Sequence, residues 1–99
     1  DFDGILVNYY ENGNSSMGYH SDPIDNKWSN QFVIISIGGQ RNFVFRNQAD
    51  KNLKISYDFC NGDLIYMFDN CQKEYEHCVK KCKADYNDRV SLVFKKSLT

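Results

Sequence analysis

The run Leu53-Lys54-Ile55-Ser56-Tyr57-Asp58-Phe59-Cys60-Asn61-Gly62-Asp63-Leu64-Ile65-Tyr66-Met67-Phe68 decides the fold class. Leu53, Ile55, Tyr57 and Phe59 alternate with Lys54, Ser56 and Asp58, the period of two that an extended strand imposes on its faces. Asn61-Gly62-Asp63 supplies turn chemistry, and Leu64–Phe68 is a continuous apolar run of strand length, read as buried on both faces. Such a succession of strand, turn and strand leaves no room for a helix.

The same punctuation recurs in both directions. Glu11-Asn12-Gly13-Asn14-Ser15-Ser16 and Gly38-Gly39 are turn clusters, and the runs between them are rich in β-branched and aromatic residues. Strands are expected near Ile5–Tyr10, Met17–Ser21, Phe32–Ile37, Asn42–Arg46, Lys54–Phe59, Leu64–Phe68, Tyr75–Val79 and Arg89–Lys95. Phe32–Ile37, like Leu64–Phe68, is read as a continuous apolar run of strand length, buried on both faces. No window carries a convincing helical period; Lys73–Lys83 has the most helical composition but is read as holding a strand. Short strands at regular spacing predict an all-β, two-sheet jelly roll whose strand ends converge on one mouth. The stretch from Pro23 to Gln31, with Trp28 in it, reads as the longest loop and a rim of that mouth.

The 99 residues suit one domain, and 41% hydrophobic with 15% aromatic content argues for a folded chain. A net charge of −1 gives no global case for nucleic acid, although Lys73, Lys80, Lys81, Lys83, Arg89, Lys95 and Lys96 cluster late, as a local patch or a solvated face. No apolar run approaches the ~20 residues that span a bilayer, so no membrane partner is expected. The first residue is Asp1 and the chain starts almost on top of a strand, so it reads as a fragment or excised core. Cys60, Cys71, Cys78 and Cys82 allow three disulfide connectivities or a zinc site, yet only Cys78 and Cys82 have metal-knuckle spacing. Free thiols are favoured, which places the chain in an intracellular, reducing compartment, cytoplasm or nucleus, as a monomer.

Chemistry enters at Met17-Gly18-Tyr19-His20-Ser21-Asp22. In a strand His20 and Asp22 project to the same side, and the one later histidine, His77, lies in another expected strand. Two histidines and a carboxylate are the donor set of a non-haem Fe(II) facial triad. The bland alternative is a surface histidine at position 20 and a turn acceptor at Asp22, ahead of Pro23, which keeps that segment extended.

Arg89-Val90-Ser91-Leu92-Val93-Phe94-Lys95 is the second element. Arg89, Ser91 and Lys95 share one face, and the apolar residues between them are expected to anchor the strand in the core. Two inward cations need anionic compensation, which a dicarboxylate would supply. They stand roughly 20 Å apart along the strand, so their side chains would have to lean together. An edge strand with Lys95 in water is the alternative. Asn8 and Tyr10 also share a face and together can orient a carboxylate.

Taken in order, Asn8-x-Tyr10, Met17 to Asp22, Ile35-Ser36-Ile37-Gly38-Gly39-Gln40-Arg41, Asn61-Gly62-Asp63-Leu64-Ile65-Tyr66-Met67, His77 and Arg89 to Lys95 resemble the catalytic core of AlkB-type 2-oxoglutarate and Fe(II)-dependent dioxygenases. The resemblance covers about Asn8 to Lys96 and implies a catalytic core lacking an N-terminal substrate-lid segment. It implies a double-stranded β-helix with His20, Asp22 and His77 as catalytic metal ligands for Fe2+. It implies 2-oxoglutarate and dioxygen as cosubstrates, with Asn8, Tyr10, Arg89, Ser91 and Lys95 around 2-oxoglutarate. The activity implied is oxidative demethylation or hydroxylation of alkylated bases in single-stranded or flipped-out nucleic acid, with Trp28 and Tyr19 as candidate stacking surfaces. Three positions depart from the family pattern: Lys95 stands where it has arginine, Ser91 where asparagine is common, and Ile24 where many members carry an acid. Arginine makes a planar two-pronged contact and lysine a point contact, so the Lys95 exchange changes geometry while keeping charge. The alternatives are the same chemistry on a protein or small-molecule substrate, or a non-catalytic jelly-roll binding module.

Overall fold

A computed structural model describes residues 2–12, 15–22, 28–81 and 88–98. Eight strands appear in chain order: β1 Gly4–Tyr10, β2 Met17–His20, β3 Trp28–Gly38, β4 Arg41–Asn47, β5 Lys54–Phe59, β6 Leu64–Met67, β7 Tyr75–Val79 and β8 Arg89–Ser97. A single helical turn, α1, occupies Cys71–Glu74 between β6 and β7. It accounts for the helical composition at the start of the Lys73–Lys83 stretch, while the expected strand under His77 is present with its expected bounds.

Two antiparallel four-stranded sheets face each other, one ordered β1-β8-β3-β6 and the other β2-β7-β4-β5. Apart from the β4–β5 hairpin, successive strands alternate between the sheets, and the first and last strands meet in the β1–β8 pair, which is the jelly roll expected from sequence. Phe32, Ile34, Phe43, Phe59, Met67, Val79 and Val93 form the core between the sheets, joined by Tyr10.

Several expectations of burial fail for one reason: the inner faces have limited room, and chemistry uses much of it. Val90, Leu92 and Phe94 do not anchor β8 in the core; Arg89, Ser91 and Val93 are buried, and the three apolar residues sit half-buried on the outer face. β3 and β6 are buried on one face each, with Ile37, Leu64, Tyr66 and Phe68 exposed. Of Leu53, Ile55, Tyr57 and Phe59, only Phe59 is buried; β5 is the edge strand of its sheet, and the other three are exposed. Trp28 begins β3 and pairs with Ser97 on β8, so it is a strand residue and not part of a loop; residues 23–27 lie outside the described residues.

Two glycines admit close approaches that position β8 and its neighbours. Gly38 has φ +101°, and a Cβ there would strike the Asp88 carbonyl just before Arg89. At Gly4 a Cβ would collide with the Trp28 ring.

Candidate metal centre

The register of the first sheet lays out the floor of a cavity of about 350 Å³ between the sheets. Residues directly opposite across a ladder point to the same side. The inner face therefore reads, row by row, Gly4–Lys95–Phe32, Leu6–Val93–Ile34, Asn8–Ser91–Ser36 and Tyr10–Arg89–Gly38. Cations stand in the two outer rows and an apolar bar crosses between them. Asn8, Tyr10, Arg89, Ser91, Lys95, His20, Asp22 and His77 all line this one cavity.

The second sheet brings in the candidate metal ligands. β2 pairs with β7 so that His20 lies opposite His77, their rings 4.4 Å apart between centroids. β2 ends at His20, so Asp22 lies past the strand end, against the expectation that one strand carries both residues. Its carboxylate nevertheless reaches both imidazoles: Oδ1 is 3.8 Å from His20 Nε2 and Oδ2 is 3.6 Å from His77 Nε2. Among the described residues, these three form a cluster whose donor atoms all lie within 4.8 Å of one another.

Protonation favours metal binding. His20 Nδ1 lies 2.8 Å from the Gly18 carbonyl, which can only accept; Nδ1 therefore carries the proton and Nε2 keeps its lone pair toward the cluster. His77 is buried and stacks on Phe43, 5.4 Å between centroids. Burial, helped by nearby His20, pushes its pKa down to about 4, so it is a neutral donor at pH 7. Burial raises the Asp22 pKa, with His20 and Lys95 pulling the other way. Asp22 Oδ2 is buried and has no hydrogen-bond partner among the described residues.

At the far end, Arg89 is 1% exposed. Its Nε donates to Ser36 Oγ at 2.8 Å, and its guanidinium carbon lies 4.9 Å from the Tyr10 ring centroid and 5.2 Å from that of Phe59. Both terminal nitrogens are buried without a hydrogen-bond partner among the described residues. A buried cation facing aromatic rings on two sides and empty of acceptors on its forked end is costly until an anion meets it. Lys95 Nζ lies 5.8 Å from the Trp28 and Phe32 ring centroids, at the cavity end whose field reaches Asp22.

Tyr19 does not face the cavity. It lies with Cys78 along a separate shallow surface and carries the Arg46 guanidinium carbon 3.6 Å from its ring centroid, so it is not placed to stack on a substrate here. Cys60, Cys71 and Cys78 are free thiols; Cys82 lies outside the described residues. Sequence reasoning missed Ser36, Arg41 and Gln72. Ser36 was detectable as the polar interruption in the Phe32–Ile37 run. Arg41, 3% exposed, donates to the carbonyls of Lys80, Asn12 and Ser15 and so ties the segment after β1 to the end of β7.

The sequence profile of the 2OG-Fe(II) oxygenase superfamily matches residues 1–95. The chain belongs to that superfamily. A curated relative from Acanthamoeba polyphaga mimivirus, Uncharacterized protein R406, is 35% identical over 96 residues, covering 96% of this chain and 50% of the relative. Among solved structures, OsALKBH1 superposes with a TM-score of 0.72 at 21% identity over 93% of this chain and 48% of that one. The capsular polysaccharide assembling protein CapF from Staphylococcus aureus superposes with a TM-score of 0.58 at 16% identity, over 99% of this chain and 25% of that one. These two likenesses concern the fold, and the first is the AlkB-type jelly roll expected from the motifs. The chain spans about half the length of the mimivirus relative and of OsALKBH1.

Iron(II) and 2-oxoglutarate are the groups this superfamily uses, and the residues fit both. Two imidazole nitrogens and a carboxylate oxygen with no hydrogen-bond partner among the described residues suit Fe(II). The unpaired fork of Arg89 suits a carboxylate, and it opens into the same cavity.

Proposed function

We propose that this chain is the core of a 2-oxoglutarate- and Fe(II)-dependent dioxygenase in which His20, Asp22 and His77 hold the iron, and that it acts on alkylated or modified bases. The reading rests above all on Arg89: a buried cation whose terminal nitrogens have no hydrogen-bond partner among the described residues, in one cavity with the two histidines and the aspartate. A dicarboxylate answers that arrangement, since one carboxylate meets the Arg89 fork and the other end lies toward the metal and Lys95.

Each group has a definite task. The Gly18 carbonyl holds the His20 tautomer, and the Phe43 stack and burial keep His77 neutral. Ser36 fixes Nε of Arg89, so the fork faces the cavity without reorganising. Tyr10, Asn8 and Ser91 stand beside it in adjacent rows to take hydrogen bonds from the cosubstrate or give them. The buried Val93 and Ile34 give the middle of the cavity an apolar floor. Iron held there would supply the redox chemistry: dioxygen gives one oxygen atom to 2-oxoglutarate, which leaves as succinate and carbon dioxide, and the other to a substrate C–H bond, so that an N-hydroxymethyl product would release formaldehyde.

His20 is the exposed member of the triad, with 36% of its side chain accessible, and marks the side from which substrate approaches. A base would have to come single-stranded or flipped out to reach it. The AlkB-like motif order supports the nucleic-acid substrate. Ile24 and the net charge of −1 favour the second reading, the same chemistry on a protein or small molecule.

Substrate-independent conversion of 2-oxoglutarate to succinate, in air with added Fe(II), tests the enzyme reading. Turnover is expected; none in the full-length protein with iron shown bound sinks it and leaves a binding module. Formaldehyde release from methylated single-stranded oligonucleotides, set against methylated peptides, then separates the two substrate classes.

A further inference from the structure

The β2–β7 ladder ends at the His20–His77 pair, so no sheet hydrogen bond holds Asp22. Pro23 follows it and has no N–H to give. The carboxylate must still be held against two imidazoles on its buried side. The one-turn helix α1 provides the hold. Gln72, the buried residue of that turn at 4% exposure, accepts the Asp22 backbone N–H on Oε1 at 2.7 Å. Because a backbone amide can only donate, this bond fixes which end of the Gln72 amide is the oxygen. The Gln72 Nε2 end contacts Met67 Sδ at 3.3 Å, inside the core.

The backbone around this bond is itself braced. Ser21 Oγ donates to the Tyr75 carbonyl at 2.9 Å, and Gln48 Nε2 donates to Ser21 Oγ at 2.9 Å and to the Gln72 carbonyl at 3.1 Å. Gln48 N–H donates to the Glu74 carbonyl at 2.8 Å. The segment carrying Asp22 and the turn leading into His77 are thereby locked into one unit.

We propose that Gln72 is the positioning residue of the metal centre, its side-chain carbonyl clamping the Asp22 amide so that the carboxylate stays registered against His77. The inference rests on His20, Asp22 and His77 being the metal ligands. Gln72 touches neither metal nor cosubstrate; it acts through Asp22 alone. Partners of this kind typically change metal affinity by about 10- to 100-fold when removed.

The test measures anaerobic Fe(II) affinity, the absorption spectrum of the Co(II)-loaded site and thermal stability, in the wild type, Gln72→Met, Gln72→Glu and Ile65→Val. Gln72→Met keeps the side-chain length and loses the acceptor; it is expected to weaken Fe(II) binding by about 10- to 100-fold and to alter the Co(II) spectrum. Gln72→Glu keeps an acceptor oxygen and should retain most of the affinity. Ile65→Val, a core loss away from the ligands, should lower stability and leave metal affinity and spectrum unchanged. Amide exchange at Asp22 in the wild type needs no variant and should be slow. Wild-type affinity and spectrum in Gln72→Met, equal losses in the Glu and Met variants, or fast exchange at Asp22 would each overturn the inference. Failure of the wild type itself to bind metal would instead remove the metal-centre reading beneath it.

Discussion

The two sides of this sandwich differ in what their cavities leave unsatisfied. Between the edges of β5 and β6 lies a cleft of about 700 Å³ walled by Phe45, Tyr57, Phe59, Ile65 and Met67. The cavity under β1, β8, β2 and β7 has about half that volume. Among the described residues, no buried side-chain polar atom lining the larger cleft lacks a partner, and Asp63 accepts the Cys60 N–H at 2.8 Å, closing the β5–β6 turn. Among the described residues, four buried side-chain atoms lack a partner, and three of them, on Asp22 and Arg89, belong to the smaller cavity. The fourth, the Tyr19 hydroxyl, lies elsewhere. Unsatisfied buried polarity, not volume, identifies the functional side.

That contrast can be broken most severely at His77. His77→Ala should abolish Fe(II) binding measured anaerobically, whereas Tyr57→Ser on the wall of the larger cleft should leave it unchanged. Equal effects of the two would erase the distinction.

Arg89→Met sharpens the second half of the contrast. Losing one partner of a buried charge pair costs about 2–5 kcal/mol, so 2-oxoglutarate affinity should fall about thirtyfold or more with Fe(II) binding intact. Without cosubstrate the same variant should be no less stable than wild type, because it removes an unpaired buried cation. Calorimetric titration and thermal melts read the two effects separately.

The pH dependence of the metal-free protein comes next. His77 titrates near 6.5 when unfolded and at about 4 when folded, so the unfolded state binds more protons in between. Stability from this group is complete above about 6.5 and is lost as pH falls toward 4, a change of about 3 kcal/mol at 1.36 kcal/mol per unit. The raised pKa of Asp22 acts in the opposite direction, so the difference between wild type and His77→Gln isolates the histidine. Identical pH profiles for the two would show that His77 is not held neutral by burial. The smallest effect is expected at Lys95. Lys95→Arg should hold or tighten 2-oxoglutarate binding, and much weaker binding would show that Lys95 does not face the cosubstrate.

How far the sequence disclosed this site follows from what kind of contact made each part. His20, His77, Arg89, Ser91, Asn8 and Tyr10 were legible because strand alternation alone fixes their side of the sheet, and the register bears that out. Which side is inner was harder. Val90, Leu92 and Phe94 look like core residues, yet the inner face of β8 is given to Arg89 and Ser91, which turns the apolar set outward. Ile55 and Tyr57 mislead for another reason: they share the side of Phe59 but lie on β5, the edge strand of its sheet, where they remain about half exposed. Gln72 was not legible at all. Its bond to Asp22 spans 50 positions of sequence, and nothing in Cys71-Gln72-Lys73-Glu74 signals a turn that reaches back to a strand end.

The most direct test of the two-ended cavity is anaerobic titration of 2-oxoglutarate into the wild-type protein with and without Fe(II). Iron at His20, Asp22 and His77 beside the fork of Arg89 predicts binding that is markedly tighter when the metal is present. Equal affinity in both states, or no binding to protein shown to carry iron, would contradict it.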